Sequence, residues 1–337
     1  MTSPRLAWLL VALGALMLVM APMDLTGIGI PYPGLKRYGT YIMTLWLVTA
    51  IAAMGVNLIV GYAGLETLAQ AAFVGIGAYV TALMVKAGWP FGLAFLVSGA
   101  AAFVVGIVLG FPALRVRKHY LAFVTLAFSV LAWLVFRNEQ WLTGGVMGIG
   151  DISRPTLFGH SLRRHVDFYW FVLAIAAVLT FALWWIIRSP WGRAFTALRE
   201  NPIRAESLGV DVRLYTLLAF AIGSAYGGLA GSLYAPLVEF IDPNPFALGP
   251  SLLFMLMVVV GGAGRFAGPF VGAAVAVLLP EWLRFAEGFY LLIYAVLVMT
   301  MMAFCPTGIV GLLERLLPAR RRPPADAGAS LLGEAKP

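Results

Sequence analysis

TYIMTLWLVTAIAAMGVNLIV, residues Thr40–Val60, runs for 21 residues without a charged side chain. An α-helix rises about 1.5 Å per residue, so a helix of this length matches the roughly 30 Å hydrocarbon core of a bilayer. The apolar residues do not alternate with polar ones as they would in a half-buried strand, and a helix satisfies its own backbone hydrogen bonds in lipid. The segment is therefore predicted to be a membrane-spanning helix.

The rest of the chain has the same character. Of its 337 residues, 61% are hydrophobic and 11% are charged, whereas an average soluble domain has about 25% charged residues. So few charges cannot cover a water-soluble globule of this size, and we predict an all-α integral membrane protein, a polytopic bundle of about ten helices. The expected spans are Leu6–Pro22, Thr40–Val60, Leu65–Val85, Trp89–Gly110, His119–Phe136, Phe168–Ile187, Leu214–Val238, Ser251–Gly262, Phe266–Leu283 and Phe289–Phe304. The eighth of these, Ser251–Gly262, is short enough to be a half-span or a re-entrant segment.

The distribution of charge predicts the orientation of the bundle. If the amino terminus is cytoplasmic, the inner segments hold 15 of the 23 Lys and Arg residues beside 6 acids, whereas the outer segments hold 8 bases and 8 acids. Basic residues accumulate in cytoplasmic loops, so we expect both termini inside. The expected parts are a membrane domain at 1–317, an outer loop at 137–167, an inner loop at 188–213, and a disordered basic tail at 318–337 beside anionic membrane lipid.

The inner loop carries the start and stop signals of a short helix. Asn201 is a good N-cap, Pro202 suits the first helical position, and Gly209 suits the left-handed residue after the last turn. These signals predict a helix over Pro202–Leu208 in which apolar and charged side chains lie side by side. Two interpretations fit such a helix, a docking element for a partner protein or an ordinary solvated loop helix.

Ser189–Gly209 resembles the inner loop that contacts the ATPase subunit in the LivM-like permeases, the branched-chain amino-acid branch of the ATP-binding-cassette (ABC) importers. The resemblance covers Thr40–Leu313, because further segments follow in the order of that family. These segments are Asn57–Gly64, Gln70–Tyr79, Tyr120–Leu126, Thr143–Gly145, Gly261–Gly264 and Pro306–Gly311.

The resemblance implies a bacterial inner-membrane permease subunit that imports branched-chain or other hydrophobic amino acids, or a related small solute. Its implied partners are two cytoplasmic ATPase subunits, a second homologous permease and a periplasmic substrate-binding protein. The implied coupling residues in the inner loop are Arg193, Arg199, Glu200, Asn201, Pro202 and Gly209. Candidate residues along the translocation path are Gly61, Gly64, Glu66, Thr67, Gln70, Gly75 and Gly77, and outer-loop candidates are Thr143, Gly144 and Gly145.

The chain departs from the family pattern after Gly64. The family has Gln, an aliphatic residue, Ser, Leu and Gly at the five positions where this chain has Leu65–Ala69, so an amide is lost and the carboxylate of Glu66 is gained. A carboxylate inside a span normally faces protein or water. Glu66 therefore either lines the solute path with Thr67 and Gln70, or lies at the inner interface and pairs with a base such as Arg265. An ion-coupled secondary transporter that uses Glu66 is the alternative function.

Glycines repeat every four residues in several predicted spans. Such rows let helix backbones approach closely in lipid, where apolar side chains gain nothing by leaving the solvent. The rows predict either static packing or seams that slide during gating, and they are Gly223/Gly227/Gly231, Gly264/Gly268/Gly272 and Gly106/Gly110. The similar stretches Gly61–Gly64 and Gly261–Gly264 suggest a relic of an internal repeat.

Several chemistries find no support in the sequence. No Gly-x4-Gly-Lys-Ser/Thr nucleotide loop occurs, so the chain is not expected to be an enzyme, and ATP is expected to bind a partner subunit. His and Cys residues do not cluster at metal-ligand spacing, so neither a metal nor another cofactor is predicted. The single Cys305 rules out a disulfide within the chain. No basic face is interleaved with aromatic residues, which argues against a nucleic-acid partner.

Overall fold

The computed structural model describes residues 37–114, 118–157, 160–283, 293, 295–296, 298–300 and 307–316, and these residues are mostly helical. The strands among them are β1 (Thr156–Leu157) and β2 (His160–Ser161), which pair antiparallel. The first predicted span, Leu6–Pro22, the tail at 318–337 and most of the tenth span, Phe289–Phe304, lie outside the described residues.

In chain order the described α-helices are α1 (Arg37–Val56), continuing as a π-helix over Asn57–Tyr62, α2 (Gln70–Lys86), α3 (Phe91–Ala113), α4 (Lys118–Asn138), α5 (Gln140–Thr143), α6 (His165–Arg188), α7 (Pro190–Glu200), α8 (Pro202–Ser207), α9 (Val212–Val238), α10 (Leu248–Gly261), α11 (Gly268–Trp282) and α12 (Gly308–Leu316). Five of these are long and apolar enough to cross a membrane, namely α1 with its π-helical continuation, α3, α4, α6 and α9. Three apolar helices of 10–17 residues, α2, α10 and α11, are shorter, so the count of about ten spans stays a prediction.

Helix α9 lies at the centre of the bundle, where it packs on α1, α2 and α3. Its glycine row makes this packing possible. A methyl group added at Gly227 would lie 2.8 Å from the Cβ atom of Phe73, and one added at Gly231 would overlap the carbonyl oxygen of Val74. Gly223 lies equally close to α1. The prediction that this row packs backbone against backbone is confirmed, and sliding along it stays a prediction.

Polar side chains cross-link the buried helices. The Thr81 hydroxyl of α2 donates to the Ser232 hydroxyl of α9 over 2.7 Å, and the Tyr226 hydroxyl of α9 donates to the Leu179 carbonyl of α6 over 2.8 Å. Water does not compete for such groups inside a bilayer, so each bond helps to fix one arrangement of the helices.

The helices at the periphery expose apolar side chains. In the most apolar stretch of α1 and of α9, 72% of the residues are buried, against 17% in α6. Val178, Phe181 and Trp185 lie on one face of α6 and are exposed. Lipid suits such a face, because the hydrophobic effect does not penalise it there.

Two predicted boundaries are wrong. The third span was expected to begin at Leu65, but Leu65–Ala69 is not helical and α2 begins at Gln70. Glu66 and Gln70 therefore do not share a helical face. Likewise, α11 begins at Gly268, so Gly264 lies in a turn and not in the glycine row of that helix. Both breaks follow a glycine with positive φ, +68° at Gly64 and +75° at Gly264, a conformation that apolar composition does not reveal.

Candidate functional site

The inner loop folds into a pair of helices, α7 and α8, here called the α7–α8 hairpin. Each helix begins at a side-chain cap followed by proline. The backbone N–H of Trp191 donates to the Ser189 hydroxyl over 3.1 Å, and that of Arg204 donates to the Asn201 side-chain oxygen over 3.1 Å. Caps of this kind satisfy N–H groups that the first helical turn leaves without partners.

The second helix of the hairpin confirms the helix that was predicted from the sequence. It begins at Pro202 after the Asn201 cap and ends at Ser207, one residue earlier than expected. Gly209 follows with a φ of +84°, the left-handed conformation predicted for it. The first helix, α7, was not predicted, although Ser189-Pro190 is the same local signal as Asn201-Pro202.

The α7–α8 hairpin has one buried and one exposed side. Phe195 and Leu198 of α7 and Ala205 of α8 are buried. The Phe195 ring packs edge-on against Tyr215 of α9, with 5.9 Å between ring centroids. On the other side, Ile203 is 78% exposed and Leu208 is 83% exposed. The hairpin is thus fixed to the bundle, and it presents two large apolar side chains among charged ones.

Arg199 reaches from α7 to the end of the π-helix. Its guanidinium donates to the carbonyl oxygen of Gly61. A methyl group added at Gly64 would lie 2.7 Å from the Cγ atom of Arg199, and one added at Gly264 would overlap its guanidinium. Arg199 was expected to face a partner, and although it is exposed, its guanidinium binds within the chain.

Asn57, the first residue of the π-helix, binds the turn after α10. Its side-chain oxygen accepts from the Gly264 N–H over 2.9 Å, and its side-chain N–H donates to the Arg265 carbonyl over 2.9 Å. The two glycine stretches that looked like a repeat in the sequence therefore face each other. No local sequence pattern around Asn57 predicts this role, because its partners lie about 200 residues away.

Arg265 does not pair with Glu66, so that suggested pairing is wrong. The Arg265 guanidinium instead binds the Glu314 carboxylate of α12 over 3.0 Å and donates to the Thr307 carbonyl over 2.6 Å. The Glu66 side chain makes no hydrogen bond or ion pair with another described residue. Glu66 lies two positions after Gly64, which packs on Arg199.

The other candidate path residues lie at contacts between helices. Thr67 and Gln70 are each 1% exposed. The Gln70 side-chain N–H donates to the Ala52 carbonyl of α1 over 2.8 Å, and its side-chain oxygen has no hydrogen-bond partner among the described residues. Gly75 packs on the Phe136 ring, and Gly77 packs on the α9 backbone. In this conformation these positions hold α1, α2, α4 and α9 together.

The outer-loop candidates form the turn that ends α5. The Thr143 hydroxyl donates to the Phe136 carbonyl over 2.7 Å and accepts from the Gly145 N–H over 3.3 Å. Gly144 and Gly145 have φ angles of +72° and +61°, which side chains rarely adopt. Thr143, Gly144 and Gly145 thus come together in the structure as an ordered turn.

The outer loop is fastened to the end of α9. Arg154, with a side chain 6% exposed, forms a 2.9 Å ion pair with Glu239. Ile149 and Ile241 form an antiparallel bridge beside it. A cavity of about 290 Å³ opens here, lined by the charged residues Arg37, Arg154, Arg163 and Glu239 and by the imidazole of His165.

The predicted inner segments contact one another, and the predicted outer segments form a separate group of contacts. Residues expected outside, such as Arg37, Arg163 and Glu239, line one cavity. Residues expected inside, such as Arg199 and Arg265, meet around the two glycine turns. Segments expected on the same side of the membrane therefore contact one another, as alternating spans require, while the assignment of one side to the cytoplasm stays a prediction.

Comparison with known proteins identifies the family of this chain. The profile described as "Branched-chain amino acid transport system / permease component" matches residues 39–304. The high-affinity branched-chain amino acid permease protein LivM of Escherichia coli is 33% identical over 84% of this chain and 72% of its own length. A probable LivM of Methanocaldococcus jannaschii is 28% identical over 65% and 67%, respectively. No solved structure matches the chain.

A permease named for a different substrate is similar to a smaller part of this chain. The autoinducer 2 import permease LsrC of Salmonella typhimurium is 26% identical over 58% of this chain and 54% of its own length. Similarity therefore extends beyond proteins named for amino-acid transport.

Proposed function

Because this chain belongs to the family of branched-chain amino acid transport permease components, we propose that it is the membrane-spanning subunit of an ABC importer. In this proposal it crosses the bacterial inner membrane about ten times with both termini in the cytoplasm. It works with two cytoplasmic ATPase subunits and a second homologous permease. The family is one of transport components rather than enzymes, so ATP hydrolysis belongs to the partners.

The α7–α8 hairpin is the observation that carries this proposal. Its buried side is fixed to the bundle through Phe195 and Leu198, whereas Ile203 and Leu208 remain almost fully exposed. Apolar side chains surrounded by charged ones are typical of the central part of a protein interface. A rigid element of this kind passes on the movement of a docked protein, which a flexible loop would absorb.

Branched-chain or other hydrophobic amino acids, delivered by a periplasmic binding protein, are the proposed solutes. The support is the extent of similarity, since the LivM relative of Escherichia coli aligns over 84% of this chain and the autoinducer 2 permease over 58%. The carboxylate of Glu66 at a position where the family has an aliphatic residue is the feature most able to alter solute preference.

Ion-coupled transport through Glu66 is the less supported alternative. Glu66 lies in the non-helical segment between the π-helix and α2, two residues after a glycine that packs on Arg199. That position is at the end of the bundle where the predicted inner segments meet. A carboxylate that binds a transported ion is expected closer to the middle of the membrane.

Association with the ATPase subunits tests the proposal. We expect Ile203→Glu and Leu208→Glu each to weaken capture of the ATPase by the purified permease by about tenfold, because a buried charge replaces an apolar contact. Met147→Glu is the matched control, since Met147 is 84% exposed on the predicted outer side. Equal capture by all three variants would remove the hairpin as the docking element.

A further inference from the structure

Two turns that each end a membrane helix meet at the inner group of contacts. The first, Gly61–Gly64, comprises the last two residues of the π-helix and the two that follow, and the second, Gly261–Gly264, begins at the last residue of α10. A methyl group added at Gly61 would lie 3.0 Å from the Cα atom of Gly264. The side-chain amide of Asn57, the first residue of the π-helix, bonds to the backbone of Gly264 and Arg265 at the second turn. The ends of α1 and α10 are thus held in direct contact.

Arg199 of α7 is the residue of the hairpin that touches both turns. It donates to the Gly61 carbonyl in the last turn of the π-helix, where a helix leaves carbonyl groups without partners and carries partial negative charge. Its Cα atom lies 3.0 Å from a methyl group added at Gly64, and its guanidinium lies against Gly264. A single cation from another helix therefore caps α1 and contacts the end of α10.

The contacts continue beyond the second turn. Arg265, next to Gly264, binds Glu314 of α12, and Gly308 at the start of α12 packs directly on Gly262. Arg199 is therefore the first member of a series of contacts that reaches the ends of α1, α10 and α12. Because π-helical turns are less regular than α-helical ones and recur at functional sites, the end of α1 is suited to change its geometry.

We propose that Arg199 is the positioning residue that links the α7–α8 hairpin to the two glycine turns, so that movement of the hairpin shifts α1 and α10 together. This inference rests on the proposed role of the hairpin. In this proposal Arg199 acts through the two turns and not by direct contact with solute or nucleotide. Its contribution is to couple the movement of the ATPase to the movement of the membrane spans.

The test measures solute uptake per ATP hydrolysed by the full complex in proteoliposomes. Arg199→Ala is expected to retain the ATPase and to hydrolyse ATP, while uptake per ATP falls by about tenfold because a charge-assisted contact is lost. Arg199→Lys retains a cation that donates to Gly61 and should recover part of the ratio. Arg213→Ala is the control, since Arg213 is an exposed arginine whose side chain makes no hydrogen bond or ion pair with the described residues.

Three outcomes overturn the proposal. An unchanged ratio in Arg199→Ala shows that the contact transmits nothing. Loss of the ATPase from Arg199→Ala shows a docking role. A deficit in Arg199→Ala that Arg199→Lys leaves uncorrected shows a purely structural role. If Arg199→Ala does not accumulate in the membrane, Arg199→Gln provides a neutral donor of similar length and the same comparison applies. A wild-type complex without ATP-dependent uptake would instead refute the proposed function itself.

Discussion

At the scale of single residues, Gly64 and Gly209 are needed for two separable reasons. Gly64 has a φ of +68° and also packs on the backbone of Arg199, whereas Gly209 has a φ of +84° with open space around it. A side chain at Gly64 would therefore meet a backbone penalty and a collision, while one at Gly209 would meet the backbone penalty alone. Substitutions at these two positions therefore separate the effect of backbone conformation from the effect of packing.

Gly64→Ala is expected to impair transport more than Gly209→Ala. Each substitution disfavours the left-handed conformation by about 1 kcal/mol, but only Gly64→Ala displaces Arg199 from the two turns. Uptake per ATP in reconstituted complexes measures the difference, and the yield of inserted protein controls for folding. Equal losses in the two variants would show that the contact with Arg199 is unimportant.

At the scale of elements, the sequence predicts features set by local signals, such as helix caps, but it does not predict contacts between distant segments. The caps at Asn201 and Gly209 act within a few residues, so α8 was predicted nearly in full. The start of α2 was misplaced because Leu65 and Leu68 extend the apolar run across a break that backbone geometry imposes. The contacts of Arg199 with Gly61 and Gly264 join three distant segments, and no local pattern predicts them.

The glycine row of α9 leads to a prediction about stability. Gly231→Ala places a methyl group against the Val74 carbonyl of α2, and this overpacking is expected to cost roughly 1–3 kcal/mol. The midpoint of thermal unfolding of the purified permease should fall. Gly92→Ala in α3 is the control, because nothing lies within 4 Å of its added methyl group. A Gly231→Ala protein as stable as Gly92→Ala would contradict backbone-to-backbone packing of α9 on α2.

At the scale of the whole molecule, the contacts separate two groups of charged segments. Charge counting placed 188–213 inside and 137–167 outside, and the contacts keep these two segments apart, one beside the glycine turns and one beside the Arg154–Glu239 ion pair. Which group faces the cytoplasm follows from the excess of basic residues and stays a prediction.

Accessibility to a membrane-impermeant thiol reagent tests this orientation. In a Cys305→Ala background, which removes the single native thiol, a cysteine at Ser161 should be labelled in intact cells. A cysteine at Ser207 should be labelled only after the membrane is opened. The opposite pattern would reverse the orientation and place the α7–α8 hairpin outside, where it cannot meet a cytoplasmic ATPase.

Uptake of labelled leucine by reconstituted proteoliposomes tests the claim that this chain forms the membrane path of an ATP-driven importer. With the ATPases, the second permease and the binding protein present, uptake should require ATP and persist without an ion gradient. Glu66→Gln should retain this ATP requirement. Uptake by the chain alone that is driven by a proton or sodium gradient, and that Glu66→Gln abolishes, would contradict the claim.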